Sequence, residues 1–339
     1  MGKVKSYLKY IISLLIAGSL LWYVFKDFDL VTFTSKLKEV DYRWIALAIC
    51  IFFVSHSLRA YRWNILLNPL GYRHLTTFRT LLAVMVGYFA NLIIPRMGEV
   101  SRCGILKKTD DIPITTSLGT VVAERIIDLF CLFTAMLMLF VFEFARLNDF
   151  IFSFLGEKLN ALEQNIFAIY IMLGIVAILL LLFLVLRNTI SKKLRHNTWL
   201  IKIRNVGREL LKGLTSVSRL ENKTGFWLST ISIWLCYYMM SFVVFFALPE
   251  TSNLGWEAGL AVLVMGSLGM AAPVQGGFGT FHALVSGVLL LYSVAEQEGV
   301  LFATLIHSMQ TISFIIFGGI SFFIASVLST KRAKKLTTT

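Results

Sequence analysis

The amino-acid sequence predicts an all-α fold, a polytopic bundle of transmembrane helices. Three observations predict it. Apolar residues make up 57% of the 339-residue chain and charged ones only 15%, where soluble domains carry about 25% charge. Mean hydropathy is +0.76. The apolar residues are also gathered into long runs almost free of charge, at residues 10–25, 45–57, 129–142, 166–186, 226–248 and 300–328. Most approach or exceed the ~20 residues that cross a ~30 Å hydrocarbon core.

The first run follows Lys3, Lys5 and Lys9, as a secretory signal would. The stretch after it, Lys26-Asp27-Phe28-Asp29, offers no small-residue cleavage site, so the run reads as a retained span. Cys50, Cys103, Cys131 and Cys236 show neither CxxC nor metal-ligand spacing and are expected to be packed apolar thiols. No remaining stretch is long enough for a separate soluble domain, so the expectation is one integral membrane domain over 1–339.

The net charge of +13 is distributed in a way that argues against nucleic acid as a partner. Lys and Arg concentrate in short loops, as the positive-inside rule requires of the cytoplasmic side. Arg59, Arg62, Arg73 and Arg79 form one such cluster, 187–223 a second, and Lys331, Arg332, Lys334 and Lys335 a third. These are expected in the cytoplasm with both termini, in a cell membrane crossed several times. The acidic or neutral stretches 143–163, 249–257 and 295–299 are expected outside, while loop 26–43 is mixed. Within 187–223, Ile203, Val206, Leu210, Leu214, Val217 and Leu220 recur at helical spacing between basic residues. That pattern predicts a basic amphipathic helix on the anionic inner leaflet.

These sides impose a parity. Between Arg79 and Lys107 the chain must leave the cytoplasm and return, yet the outbound run 81–94 is worth only ~21 Å of helix and the return, 100–106, is shorter. A re-entrant hairpin broken at Pro95 satisfies the parity. Segment 258–294 has external flanks and needs a second hairpin, broken over 273–279. Each half, about 1–165 and 166–339, then holds two spans, a broken hairpin and a third span, as in an inverted-topology repeat. Pro95-Arg96-Met97-Gly98 and Pro273-Val274-Gln275-Gly276 both read P-x-x-G. Broken segments at matching places in two halves point to a transport site near the midplane; P-x-x-G is also an inexpensive way to end a helix.

Ionisable groups within the membrane are functional candidates. Arg96, Glu99 and Arg102 cluster at the first break, where spacing by three lets them neutralise one another. Glu124, Arg125 and Asp128 lie in the next span, with Glu124 and Asp128 on one face and able to pair with the first set if the span packs on the hairpin. The set reads either as a structural ion network or as an anion site in which guanidinium groups hold a phosphate. The second break carries Gln275, Gly276, Gly277, Gly279 and His282, with glycines that permit unwound backbone. It lacks the GK[ST] ending of a nucleotide loop. His307 and Gln310 fall roughly where Glu124 and Asp128 fall in the first half. No motif for a metal, a cofactor or a catalytic nucleophile occurs, so no enzyme activity is expected.

Three motifs carry a family resemblance. They are Asn91-Leu-Ile-Ile-Pro95-Arg96-Met-Gly98-Glu99-Val-Ser-Arg102, Glu124-Arg125-Ile-Ile-Asp128, and Pro273-Val-Gln-Gly276-Gly277-Phe-Gly279. In order and spacing the chain resembles the flippase-like membrane domain of lysylphosphatidylglycerol synthases and stand-alone relatives, over almost its whole length. It departs from the usual pattern at Gln275, where proline is common, and at His282, where glutamate is common. The synthases add a soluble domain that makes the aminoacyl lipid, and nothing in this sequence is left to encode one. The resemblance therefore implies translocation of an anionic phospholipid or polyprenyl-phosphate-linked lipid, without its synthesis. Arg96, Arg102 and Arg125 would meet the phosphate; Glu99, Glu124 and Asp128 would balance them. With no ATP-binding loop, the drive would be a gradient, the membrane potential or downhill flow. A secondary transporter of a small soluble solute and a non-catalytic accessory protein of membrane glycolipid synthesis are the alternatives.

Overall fold

A computed structural model describes residues 30–144, 217 and 220–337. The runs at 10–25 and 166–186 and most of the basic amphipathic segment lie outside the described residues. The chain divides into two compact units, Met1–Leu139 with Leu210–Thr339, and Phe140–Glu209. In the second, the Phe140 and Phe144 rings meet edge to face at 5.2 Å.

All regular structure among the described residues is helical: α1 (Leu30–Glu39), α2 (Tyr42–Leu67), α3 (Thr77–Ile93), α4 (Gly98–Asp110), α5 (Ile114–Phe142), α6 (Lys223–Phe245), α7 (Trp256–Ala271), α8 (Thr280–Leu290) and α9 (Glu296–Thr337). Four stretches among these are long and apolar enough to cross a membrane: Tyr42–Leu70, Ile114–Phe142, Lys223–Phe245 and Glu296–Thr330. The protein is a multi-pass helical membrane protein. Side-chain caps fix three of the helix starts: Asp41 accepts from the Arg43 N–H, Thr76 from Arg79, and Asn222 from Gly225.

The spans run longer than the uncharged stretches suggest. Helix α2 continues through Arg59 and Arg62 for 26 residues, and α5 begins ten residues before Glu124. The reason is local: neither stretch holds a proline break, and Arg59, Arg62 and Glu124 pair with one another's neighbours inside the bundle. The thiol expectation is corrected too. Cys103 alone is buried, Cys131 and Cys236 are half-buried, and Cys50 is exposed, because it lies on the outer face of α2.

Ion pairs define two polar ends. At one, Lys36 of α1 bridges Glu250, 3.0 Å away, and Glu298 at the start of α9. At the other, Arg73 pairs with Glu221, Arg79 with Asp110, and Arg332 of α9 with Asp111 at 3.5 Å. Helix α9 runs from one end to the other. Helices α3 and α4 form a hairpin whose open end carries the Arg79–Asp110 pair. Helices α7 and α8 form a second, based beside the Lys36 cluster.

Glycines let both hairpins close. A Cβ on Gly87 would sit 2.8 Å from the Gly98 carbonyl oxygen, and one on Gly98 would strike the Gly87 oxygen and the Asn91 amide. In the second hairpin a Cβ on Gly269 would stand 2.7 Å from the Phe281 Cα. Val217 and Leu220, the last apolar residues of the amphipathic pattern, pack against Ile65, Leu66 and Phe226, so that end of the pattern faces the bundle.

Candidate functional site

The tips of the two hairpins touch. After α3 ends at Ile93, Pro95 supplies no N–H and the chain turns through Arg96 at φ 61°, a left-handed conformation costly for a side chain with a Cβ. After α7 ends at Ala271, the chain turns through Gly276, Gly277 and Gly279, all at positive φ. Each break then caps the other hairpin. The Gln275 side-chain amide donates to the carbonyls of Leu92 and Ile93, both at 2.9 Å. In return the Arg96 guanidinium donates to the carbonyl of Ala271 at 2.8 Å. These are last-turn carbonyls that have no acceptor role within their own helices. Asn91 completes the first tip by accepting from the Gly98 N–H at 2.6 Å.

Behind the first tip lies a buried ion network. Arg102 of α4 donates to Glu124 of α5 at 2.8 Å. Asp128, one turn on, is held by Arg59 at 2.8 Å and Arg62 at 2.7 Å, and Arg62 also stands 3.6 Å from Glu124. Arg59 reaches the Tyr237 hydroxyl at 2.9 Å, and the Arg102 guanidinium lies 4.5 Å over the Trp63 ring. Glu124 and Arg62 are fully buried. Three arginines thus face two carboxylates, an excess of one positive charge.

Within Arg96, Glu99 and Arg102 no direct ion pair forms. Arg96 lies in the turn outside α4, and the partners come from other helices. Pairing between the hairpin and the next span does form. It includes a more exposed member, Arg125 donating to Glu99 at 2.8 Å. Arg59 and Arg62, which the positive-inside pattern assigns to a loop, are buried in α2. The signal for them was their spacing by three, which matches Glu124 and Asp128 spaced by four on the facing span.

The second break is built from neutral groups. His307 of α9 meets the Gly276 carbonyl through Nε2 at 2.9 Å, and its ring lies 4.9 Å from that of His282. The hydroxyl of Thr280 donates to the carbonyls of Gly269 at 2.8 Å and Gly277 at 3.1 Å. Gln275, Gly276, Gly277, Gly279 and His282 are therefore gathered at one tip, with Pro273 at its entry. The likeness of His307 to Glu124 holds in one respect: each lies on the span after a hairpin and reaches that hairpin. Gln310 differs from Asp128, since its amide lies against the sulfur of Met240 at 3.9 Å.

Comparison with known families decides the kinship. The family described as lysylphosphatidylglycerol synthase TM region matches residues 10–318. The chain belongs to this family. Both hairpin tips and the ion network fall inside the matched region. The chain is also 33% identical over 96 residues to glycosyltransferase AglD of Haloferax volcanii, covering 28% of this chain and 15% of that one. It is 30% identical over 136 residues to a UPF0104 membrane protein of Methanocaldococcus jannaschii, covering 38% of this chain and 39% of that one. The chain thus spans well under half the length of each of these relatives. No solved structure matches.

Proposed function

We propose that this protein is a flippase-like transporter that moves an anionic lipid, or a lipid-linked head group, from one leaflet to the other. The observation that carries the reading is the meeting of two broken hairpins based at opposite polar ends. Helix α3 has 17 residues, about 25 Å, and α7 has 16, about 24 Å, so the tips fall near the middle of the distance between the ends. Helices that break there expose backbone groups and small residues to a ligand where a span would present only apolar side chains. On this reading the whole chain is one membrane unit of two inverted halves, with the end carrying Arg73, Arg79 and Arg332 in the cytoplasm. It is non-catalytic. The partners are anionic phospholipid or polyprenyl-phosphate-linked lipid.

Within the site, Arg96 and Arg125 are exposed, so a phosphate can compete for them with the Ala271 carbonyl and Glu99, whereas Arg102 is buried against Glu124. The buried arginines contribute through their excess charge, which favours an anion nearby. A second reading, an accessory role in membrane glycolipid synthesis, draws on the likeness to a glycosyltransferase and predicts lipid binding without transport.

The experiment is reconstitution in liposomes with a panel of labelled head groups. The account expects protein-dependent flipping of an anionic lipid, reduced by Arg96→Ala and altered by Glu99→Gln. Flipping that ignores both substitutions would sink it.

A further inference from the structure

The Arg125–Glu99 pair differs from every other ion pair around the first tip. Its side chains are 46% and 27% exposed, where the Arg102–Glu124 pair is 5% and 0% exposed. It is also deep. Arg125 lies about 17 Å along α5 from Ile114, and Glu99 about the same distance along α4 from Asp110. The neighbouring surface is apolar: Val100, Val122, Ile126, Leu129 and Phe130 are all exposed, Phe130 at 69%. An ion pair facing hydrocarbon at that depth is costly unless polar groups reach it.

We infer that this pair is a lateral docking point for an anionic phospholipid, with Glu99 a displaceable counter-ion that yields Arg125 to the lipid phosphate. The charge and the surface both select this occupant. Arg96 and Arg125 against Glu99 leave one positive charge at the surface, matching one phosphodiester. The guanidinium fork of Arg125 accommodates two oxygens of a phosphate as well as those of a carboxylate. The exposed apolar face of α5 lies alongside, where acyl chains remain in the bilayer while only the head group approaches the tips. Selectivity then resides in the head group, with little dependence on chain length. A soluble phosphate ester presents the same oxygens but gains nothing from the apolar face.

This inference rests on the transport reading for its purpose but is tested apart from it, by binding. The purified full-length chain is titrated in micelles with short-chain phosphatidylglycerol, phosphatidylcholine and glycerol 3-phosphate, and bound ligand is counted by native mass spectrometry. The expected preference for phosphatidylglycerol over phosphatidylcholine is about tenfold, or 1.4 kcal/mol. Arg125→Gln removes the preference and Arg125→Lys keeps part of it. Glu99→Gln, which frees Arg125 from its competitor, strengthens phosphatidylglycerol binding several-fold. A merely structural pair would make both removals act in the same direction. The inference is overturned if Glu99→Gln and Arg125→Gln weaken binding alike, or if neither changes the preference, or if glycerol 3-phosphate binds as tightly as the lipid. Lipid preference behaving as expected in a protein that flips nothing would overturn transport and leave the docking point standing.

Discussion

The two hairpin tips do the same job with different chemistry. The first ends a helix with Pro95, turns through a left-handed arginine and is backed by four buried charges and the half-buried Asp128. The second ends with Pro273, turns through three left-handed glycines and is backed by two histidines and the Thr280 hydroxyl. The first stores strain and charge; the second is relaxed and neutral. A non-glycine residue keeps a left-handed conformation only where the surroundings hold it, and Arg96 is held by the Ala271 carbonyl on the other hairpin. The charged tip therefore depends on the neutral one for its geometry. The neutral tip depends in turn on the charged one only for capping of α7, while Gln275 caps α3.

The comparison breaks most readily at Glu124. Replacing it with Gln leaves Arg102 and Arg62 buried with less compensation and raises the excess charge from one to two, for a cost of about 3–5 kcal/mol. Arg102→Gln lowers the excess instead and is expected to cost less. Thermal unfolding in detergent, followed by size exclusion, checks the order; an equal loss in the two variants would mean the charge imbalance is not felt.

The next effect is steric and belongs to the neutral tip. Gly269→Ala places a methyl against the backbone of Phe281, an overpacking worth about 1–3 kcal/mol. Because the atoms it meets are backbone, no side chain can swing aside, and the same assay is expected to show a lower melting temperature.

Smaller still is Arg96→Gly. It relieves about 1–2 kcal/mol of left-handed strain but removes the donor to Ala271, whose carbonyl then loses a hydrogen bond of similar worth. Stability is expected to change little while anionic-lipid flipping falls. A variant that is markedly more stable and fully active would show that the strain at Arg96 serves no purpose.

The smallest effect concerns the polar end at Lys36. Burial pulls the ammonium down, but the Glu298 and Glu250 carboxylates outweigh it and hold its pKa above the ordinary 10.5. Burial pushes the Glu250 carboxyl up, and its bonds with Lys36 outweigh that and hold it below 4.5. The Lys36 contribution is full below the unfolded lysine value and is lost as pH rises through the raised one. The Glu250 contribution is full above the unfolded carboxylate value and is lost as pH falls through the lowered one. Stability is thus expected to be flat between the two, and Lys36→Met to flatten the decline at both extremes.

Much of this was legible in the sequence, for reasons that differ between elements. The breaks were, because proline and glycine act locally and P-x-x-G interrupts an apolar run in each half. The position of α4 was less so. Its residues are mostly polar, with low periodicity, and it is a helix because the Gly87–Gly98 contact and the Arg102–Glu124 pair hold it against its neighbours. Pairing of the Glu124 set with the hairpin followed from complementary charge, once the span was placed beside it. What the sequence hid was the burial of Arg59 and Arg62. A rule that counts cations in loops places them at the surface, and only the carboxylates of a distant span draw them inside. The mutual capping of Arg96 and Gln275 was hidden for the same reason, since each acts on the backbone of the other hairpin.

The central claim is that the joined tips form a path for an anionic head group. The most direct measurement follows fluorescent phosphatidylglycerol and phosphatidylcholine in proteoliposomes, using an impermeant quencher to report the leaflet. The account predicts faster protein-dependent exchange of phosphatidylglycerol, lost in Arg96→Ala and Arg125→Gln variants that remain folded. Equal exchange of both lipids, or exchange of phosphatidylglycerol that survives both substitutions, would contradict it.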